Sequence, residues 1–269
     1  VRLNDNVSTL KSAIVYADKI LTVSPTHREE LLTPAGGMGL SNVLRLREYD
    51  FAGILNGIDY DEFNPETDEH IACNFTEEDF FEGKQENKAA LLKELGIHDR
   101  GQPLFSIVSR ITWQKGFDLV FAAAEELAKK GCNIVILGSG EHDLEQRWED
   151  FRRRYPDICA IYIGYNDSLA HRIYASSDFF FMPSLFEPCG LGQMIAQRYG
   201  TLPIVRRTGG LKDSVINYDG NNLEPAIGLG FDSFSCDEMV RTCLWAFDLW
   251  HDLPLRKHLM KNALKIHIT

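Results

Sequence analysis

The residues best equipped for chemistry lie in two stretches. Arg110 and Lys115 stand five positions apart in Ser109-Arg110-Ile111-Thr112-Trp113-Gln114-Lys115-Gly116. Glu187 stands in Pro183-Ser184-Leu185-Phe186-Glu187-Pro188-Cys189-Gly190-Leu191-Gly192-Gln193. An Arg can grip two oxygens and a Lys supplies a compact charge, so the two cations suit a diphosphate. If that diphosphate departs, they stabilise the charge that develops on it. Both residue types also commonly sit solvated on a surface. Glu187 could orient sugar hydroxyls or steady positive charge at an anomeric carbon, or it could cap the following helix. Cys189 reads as a packed thiol, because no His lies near it in sequence. The amides of Cys189, Gly190, Leu191 and Gly192 fall where a helix begins, and such amides hold oxyanions. Alone, the stretch reads equally as a binding loop for a phosphorylated sugar and as a strand-to-helix turn. Tyr165 follows a strand and a glycine, so its ring could stack on a base or be buried. Asp118 reads as a first-turn charge and His171 as a helix-surface imidazole. No Walker loop, serine elbow or Cys/His metal spacing is legible, so no metal site is assigned.

The elements that must position these groups alternate regularly. Strands are expected at 104–108, 133–137, 159–163, 178–182 and 202–205, with helices at 117–130, 141–154, 168–176 and 193–199 between them. Short apolar strands alternating with helices imply a parallel sheet covered on both faces. Ligands of such sheets bind beyond the carboxyl ends of the strands. Arg110, Gly138 and Gly140, Tyr165, Glu187 and Thr208-Gly209-Gly210 each follow a strand in turn. That convergence favours the binding-loop reading. Upstream, a helix over 5–17, a strand over 19–23 and a helix opening at Ser24-Pro25 are too little for a core of their own. A second unit starts near Phe51, with a strand over 52–55 and a partly helical stretch over 77–95. Two helices, 236–250 and 253–266, close the chain.

Composition sets outer bounds. The 269 residues carry a net charge of −11, with 44% hydrophobic and 25% charged residues, which is globular. The acidic balance argues against a nucleic-acid partner. No apolar run approaches the ~20 residues that span a bilayer, so no membrane partner is expected. Val1 to Asn6 lack the apolar core of a secretory signal. Six scattered cysteines (Cys73, Cys132, Cys159, Cys189, Cys236, Cys243) read as reduced thiols of a cytosolic protein.

The Arg-to-Lys motif, Phe186-Glu187-Pro188-Cys189-Gly190-Leu191 and Tyr199-Gly200-Thr201-Leu202-Pro203-Ile204-Val205-Arg206-Arg207-Thr208-Gly209-Gly210-Leu211 resemble bacterial glycogen synthases and plant starch synthases. Tyr16-Ala17-Asp18, Thr22-Val23-Ser24-Pro25-Thr26 and Ile54-Leu55-Asn56-Gly57-Ile58-Asp59 fit the same family, in order over nearly the whole chain. The resemblance implies an α/β fold of the GT-B glycosyltransferase type, two Rossmann-like doubly wound domains facing across a cleft. Residues 1–51 would be the C-terminal part of the acceptor-side domain and 52–269 the donor nucleotide-sugar domain, its last segment missing. The chain would thus be a C-terminal fragment, weakly active or inactive alone. The implied reaction transfers glucose from ADP-glucose to the non-reducing end of an α-1,4-glucan with retention, without metal or cofactor. Carried over by motif, Arg110 and Lys115 hold the diphosphate and Glu187 contacts the donor glucose. The amides of Cys189, Gly190, Leu191 and Gly192 face glucose and phosphate, Thr208 joins the substrate contacts, and Tyr165 takes the adenine-stacking place. Gly192 stands where a Thr is frequent, and Ile195 where the wider group often has a second Glu. The compartment implied is bacterial cytoplasm, with the plastid as alternative. A UDP-glucose-dependent relative and a non-catalytic nucleotide- or glucan-binding module are the rival functions.

Overall fold

The computed structural model describes residues 2–3 and 6–266. Arg2–Leu3 (β1) and Asn6–Val7 (β2) pair antiparallel. Helix α1 runs Thr9–Tyr16, later than the sequence implies, because the Ser8 hydroxyl accepts from the Lys11 amide at 3.1 Å and fixes the start. Of the helix expected over 5–17, Asp5 lies outside the described residues. Ile20–Thr22 (β3) leads into α2, Pro25–Leu31, which Ser24 caps with Pro25 in the first turn. Ser41–Leu46 (α3) and Phe51–Gly53 (β4) complete this part. The strand read at 52–55 thus begins at Phe51 and pairs in parallel with β3, not with the main sheet. The reason is packing: Phe51 is buried with Ile14, Leu32 and Leu44 in a small core.

Helix α4, Phe80–Glu94, precedes a regular alternation: β5 Leu104–Val108, α5 Phe117–Lys129, β6 Asn133–Gly138, α6 His142–Arg154, β7 Cys159–Ile163, α7 Asp167–Ser176, β8 Phe179–Met182, α8 Gly192–Arg198 and β9 Leu202–Arg206. Then follow α9 Gly209–Ser214, β10 Leu229–Phe231, α10 Cys236–His251 and α11 Leu253–Lys265. The α/β class is as the sequence implies. The strands form one parallel sheet in the order β10-β9-β8-β5-β6-β7. Each strand sends alternate side chains to opposite faces. In β6, Ile134 and Ile136 join the core that contains Phe117, Trp148 and Phe151. Val135 and Leu137 join the core made by α4 and α7 through Leu91, Leu92, Leu169 and Ile173. The sheet is therefore wound on both faces. The chain order reverses between β6 and β8 on either side of β5, and that switch opens a crevice at the carboxyl edge.

Candidate functional site

The loops after β5 and β8 meet in this crevice. Lys115, in a 3-10 turn over Trp113–Lys115, donates from Nζ to Glu187 Oε2 at 2.5 Å. The carboxylate is nearly enclosed, with 9% of its side chain exposed, against 17% for Lys115. Ser184 Oγ donates to the same oxygen at 3.0 Å, so Glu187 is held from two sides. The loop backbone is held as firmly. Leu185 N donates to the Gln114 carbonyl at 2.9 Å, and Gln114 Nε2 donates to the Phe186 carbonyl at 2.6 Å. Arg206, at the end of β9, donates to the carbonyls of Ser184 and Leu185. Among the described residues, Ser184, Gln114 and Arg206 are the supports that sequence reasoning missed. Their types and spacing carry no signal, since each acts through a backbone or side-chain contact made only after folding.

Arg110 is exposed just after β5 and makes no hydrogen bond or ion pair among the described residues. It shares a cavity of about 250 Å³ with Leu137, Gly138, Ser139, Gly164 and Tyr165. Tyr165 stands at the lip, 87% exposed, with its hydroxyl on Asp167 Oδ1 at 3.2 Å. Its ring face is thus available for stacking, and the buried alternative does not occur. A Cβ on Gly138 would lie 1.8 Å from the Ser109 carbonyl oxygen. Glycine there lets the loops after β5 and β6 touch, which is a packing requirement whatever binds above it.

The loop after Glu187 is organised around buried amides. Gln193 Nε2 donates to the carbonyls of Cys189 and Gly190 and to Ser214 Oγ. Helix α8 starts at Gly192, one residue earlier than expected, so its first amides lack helical partners. Leu191 is half exposed, while the Cys189 thiol is buried and burial pushes its pKa up. That fits a framework thiol. Thr208 is turned elsewhere: its hydroxyl donates to Glu30 Oε1 at 2.7 Å, and the Gly209 amide donates to the same oxygen at 2.8 Å. Its hydroxyl is therefore spent within the fold. Gly209 has φ +46°, and a Cβ there would stand 1.9 Å from the Glu187 carbonyl oxygen.

Helix α2 thus reaches the site from the N-terminal part of the chain. Besides Glu30, Ser24 Oγ donates to the Pro188 carbonyl at 2.7 Å, and Thr26 donates from amide and hydroxyl to Asp213 at 2.8 and 2.6 Å. Burial pushes the Glu30 carboxyl up, but bonds from His27, Gly209 and Thr208 outweigh it and hold it below its ordinary value of 4.5. A carboxyl lowered in the folded state contributes stability above the unfolded pKa and loses it as pH falls through the folded value. Glu30→Gln is therefore expected to cost stability at neutral pH, and its gap from the parent should close as pH drops below 4.5. Urea unfolding across that range reads it, and a gap that stays constant with pH would refute the assignment.

The model of the glycosyl transferases group 1 matches residues 91–265, and that of the starch synthase catalytic domain matches residues 1–46. A glycogen synthase from Bacillus cereus is 44% identical over 260 residues, covering 96% of this chain and 54% of that protein. A glycogen synthase from Kosmotoga olearia is 44% identical over 261 residues, covering 97% of this chain and 54% of its own length. The chain therefore spans about half the length of the curated relatives it matches. The catalytic domain of starch synthase IV from Arabidopsis thaliana, bound to ADP and acarbose, superposes with a TM-score of 0.93 at 36% identity, covering 99% of this chain and 55% of its own. A glycosyltransferase from Rickettsia africae shares the fold at a TM-score of 0.69, with 18% identity over 96% of this chain and 62% of its own.

Proposed function

The chain belongs to the glycosyl transferases group 1 family, and from that membership we propose that it is the donor-binding part of an ADP-glucose-dependent glycogen or starch synthase. The whole enzyme transfers glucose to the non-reducing end of an α-1,4-glucan with retention of configuration. One observation carries this reading. A cavity of about 250 Å³ lined by Tyr165 and Arg110 opens at the same strand edge as the Lys115–Glu187 pair. Adenine stacks on Tyr165, and Arg110 and Lys115 take the diphosphate. Glucose lies against Glu187, with the amides from Cys189 to Gly192 facing it and the phosphate. When the bond between glucose C1 and the phosphate oxygen breaks, the electron pair stays on the diphosphate. The two cations meet that charge in place, without solvent reorganisation. Glu187 neutralises Lys115. Donor binding recruits the ammonium to phosphate while Glu187 keeps its Ser184 bond.

Residues 1–51 are proposed as the end of an acceptor-side domain and 52–269 as the donor domain, although β4 straddles that line by pairing with β3. The glucan is the proposed second substrate, with neither nucleic acid nor membrane as partner. No helix among the described residues is long and apolar enough to cross a membrane. Bacterial cytoplasm is the proposed compartment, by analogy with the bacterial relatives.

Titrating ADP, UDP, ADP-glucose and UDP-glucose into the chain tests the reading. The ADP forms should bind more tightly. Arg110→Ala and Lys115→Ala should each weaken ADP by roughly 10- to 100-fold, the worth of one charge-assisted contact. Equal affinity for UDP would favour the UDP-glucose-dependent relative. ADP affinity unchanged in both variants would remove the diphosphate assignment.

A further inference from the structure

His171 is not the surface imidazole that its helical position suggests. It is 1% exposed, and the Phe63 ring stacks on it at 4.9 Å between centroids. Its Nδ1 lies 2.8 Å from Asp68 Oδ2. Asp68 also accepts from the His70 amide at 2.8 Å and from the Tyr199 hydroxyl, so its position is set by three donors. An ionised carboxylate only accepts, so Nδ1 carries the imidazole proton and the lone pair is left on Nε2. Nε2 is buried and has no hydrogen-bond partner. A buried acceptor without a partner is costly, and few occur in a native fold.

Two further donors stand around this ring. The His70 imidazole meets it edge-on at 4.8 Å between centroids, and the Asp167 carboxylate at the start of α7 is close by. One ligating atom from each of His70, Asp167 and His171 lies within 4.8 Å of the other two. Tetrahedral zinc ligands about 2.1 Å from the ion stand roughly 3.4 Å apart. His70 and Asp167 are both exposed, so rotation of these two side chains closes the difference without moving the buried ring. Glu62 adds negative charge near the cluster. The sequence hides the group because His70 and His171 are far apart in the chain and no short spacing marks them.

We propose that His70, Asp167 and His171 form a binding site for a borderline divalent ion of the zinc class, with Asp68 as the positioning residue that orients His171. A carboxylate-imidazole pair behind the metal is the usual way to fix a ligand tautomer. Two imidazoles and one carboxylate leave a fourth position for water. The ion would sit beside the nucleotide cavity, outside the Lys115–Glu187 pair. It would tie the loop that carries Tyr165 to the segment 68–70, because the Tyr165 hydroxyl rests on Asp167.

The test is a titration of the full chain, stripped by chelator, with Co²⁺ followed by visible absorption, and with Zn²⁺ by competition. A saturable site with one equivalent of metal and the intense absorption of tetrahedral Co²⁺ is expected. His70→Ala and Asp167→Ala should each weaken it by roughly 10- to 100-fold, and Asp68→Asn by roughly 10-fold. The first two positions are exposed, so metal-free thermal midpoints of those variants should match the parent. Absence of saturable binding would overturn the proposal. So would binding that survives both His70→Ala and Asp167→Ala, since the metal would then rest on other groups such as the exposed Cys236.

Discussion

Glu187→Ala is expected to cut glucosyl transfer by the enzyme that carries this chain by about 10²- to 10³-fold in kcat, the loss typical of one preorganised electrostatic group. ADP affinity should move in the opposite direction. Lys115 is paired with Glu187, and removing the carboxylate frees the ammonium for the diphosphate. A fall in kcat with ADP binding kept or tightened is therefore the signature. Glu187→Gln separates charge from shape: it can still accept from Ser184 but no longer neutralises Lys115. The backbone bond from the Gly210 amide to the Glu187 carbonyl, 3.0 Å, is untouched in either variant, so the loop should keep its course. Because Lys115 and Glu187 touch, the two substitutions should be non-additive in a double-mutant cycle. An unchanged kcat would remove Glu187 from the donor site.

Asp178→Ala should be among the most damaging single changes to stability, at about 3–5 kcal/mol, because it strands a charge inside the fold. Lys88 Nζ donates to Asp178 Oδ2 at 3.0 Å and to the Gln102 carbonyl at 2.7 Å, over the Trp250 ring. The Leu104 amide donates to the same carboxylate oxygen at 2.8 Å, at the first residue of β5. Alanine would leave an ammonium without its counter-ion and an amide without an acceptor. Burial drives the Asp178 carboxyl up, but Lys88, the Leu104 amide and Trp250 outweigh it and hold it below its ordinary value of 3.8. The contribution is thus present above that value and lost as pH falls through the folded pKa. The shift in urea midpoint at neutral pH is the measurement, and a loss under about 1 kcal/mol would show an ordinary surface-type pair.

The main strands were legible because each is a short, largely apolar run in a parallel sheet, wholly buried in the case of Asn133–Gly138. The crossovers do not encode lateral order, so the placement of β8 beside β5 had to come from the fold. Strand β10 escaped notice because three residues with Gly230 in the middle give no apolar run. The strands at Ile20–Thr22 and Phe51–Gly53 were both visible, but not that they pair with each other, since pairing partners leave no local mark. At the site, the residue types of Arg110, Lys115 and Glu187 were informative because the placement of charge beside strand-ending loops follows from local pattern. The contact between Lys115 and Glu187 spans 72 residues and could not be read. Nor could the use of the Thr208 hydroxyl, which binds a carboxylate 178 positions away.

That last contact changes how the site opens. The Gly209 amide is sheltered by a side chain of α2, and the amide of Thr26 in α2 is sheltered by Asp213 in α9. Each element protects the other's backbone protons from solvent. Neither can exchange them for deuterium through a private fluctuation, because release of one exposes the other. Helix α2, α9 and the loop at Pro188 therefore form one cooperative opening unit, a foldon assembled from segments far apart in the chain.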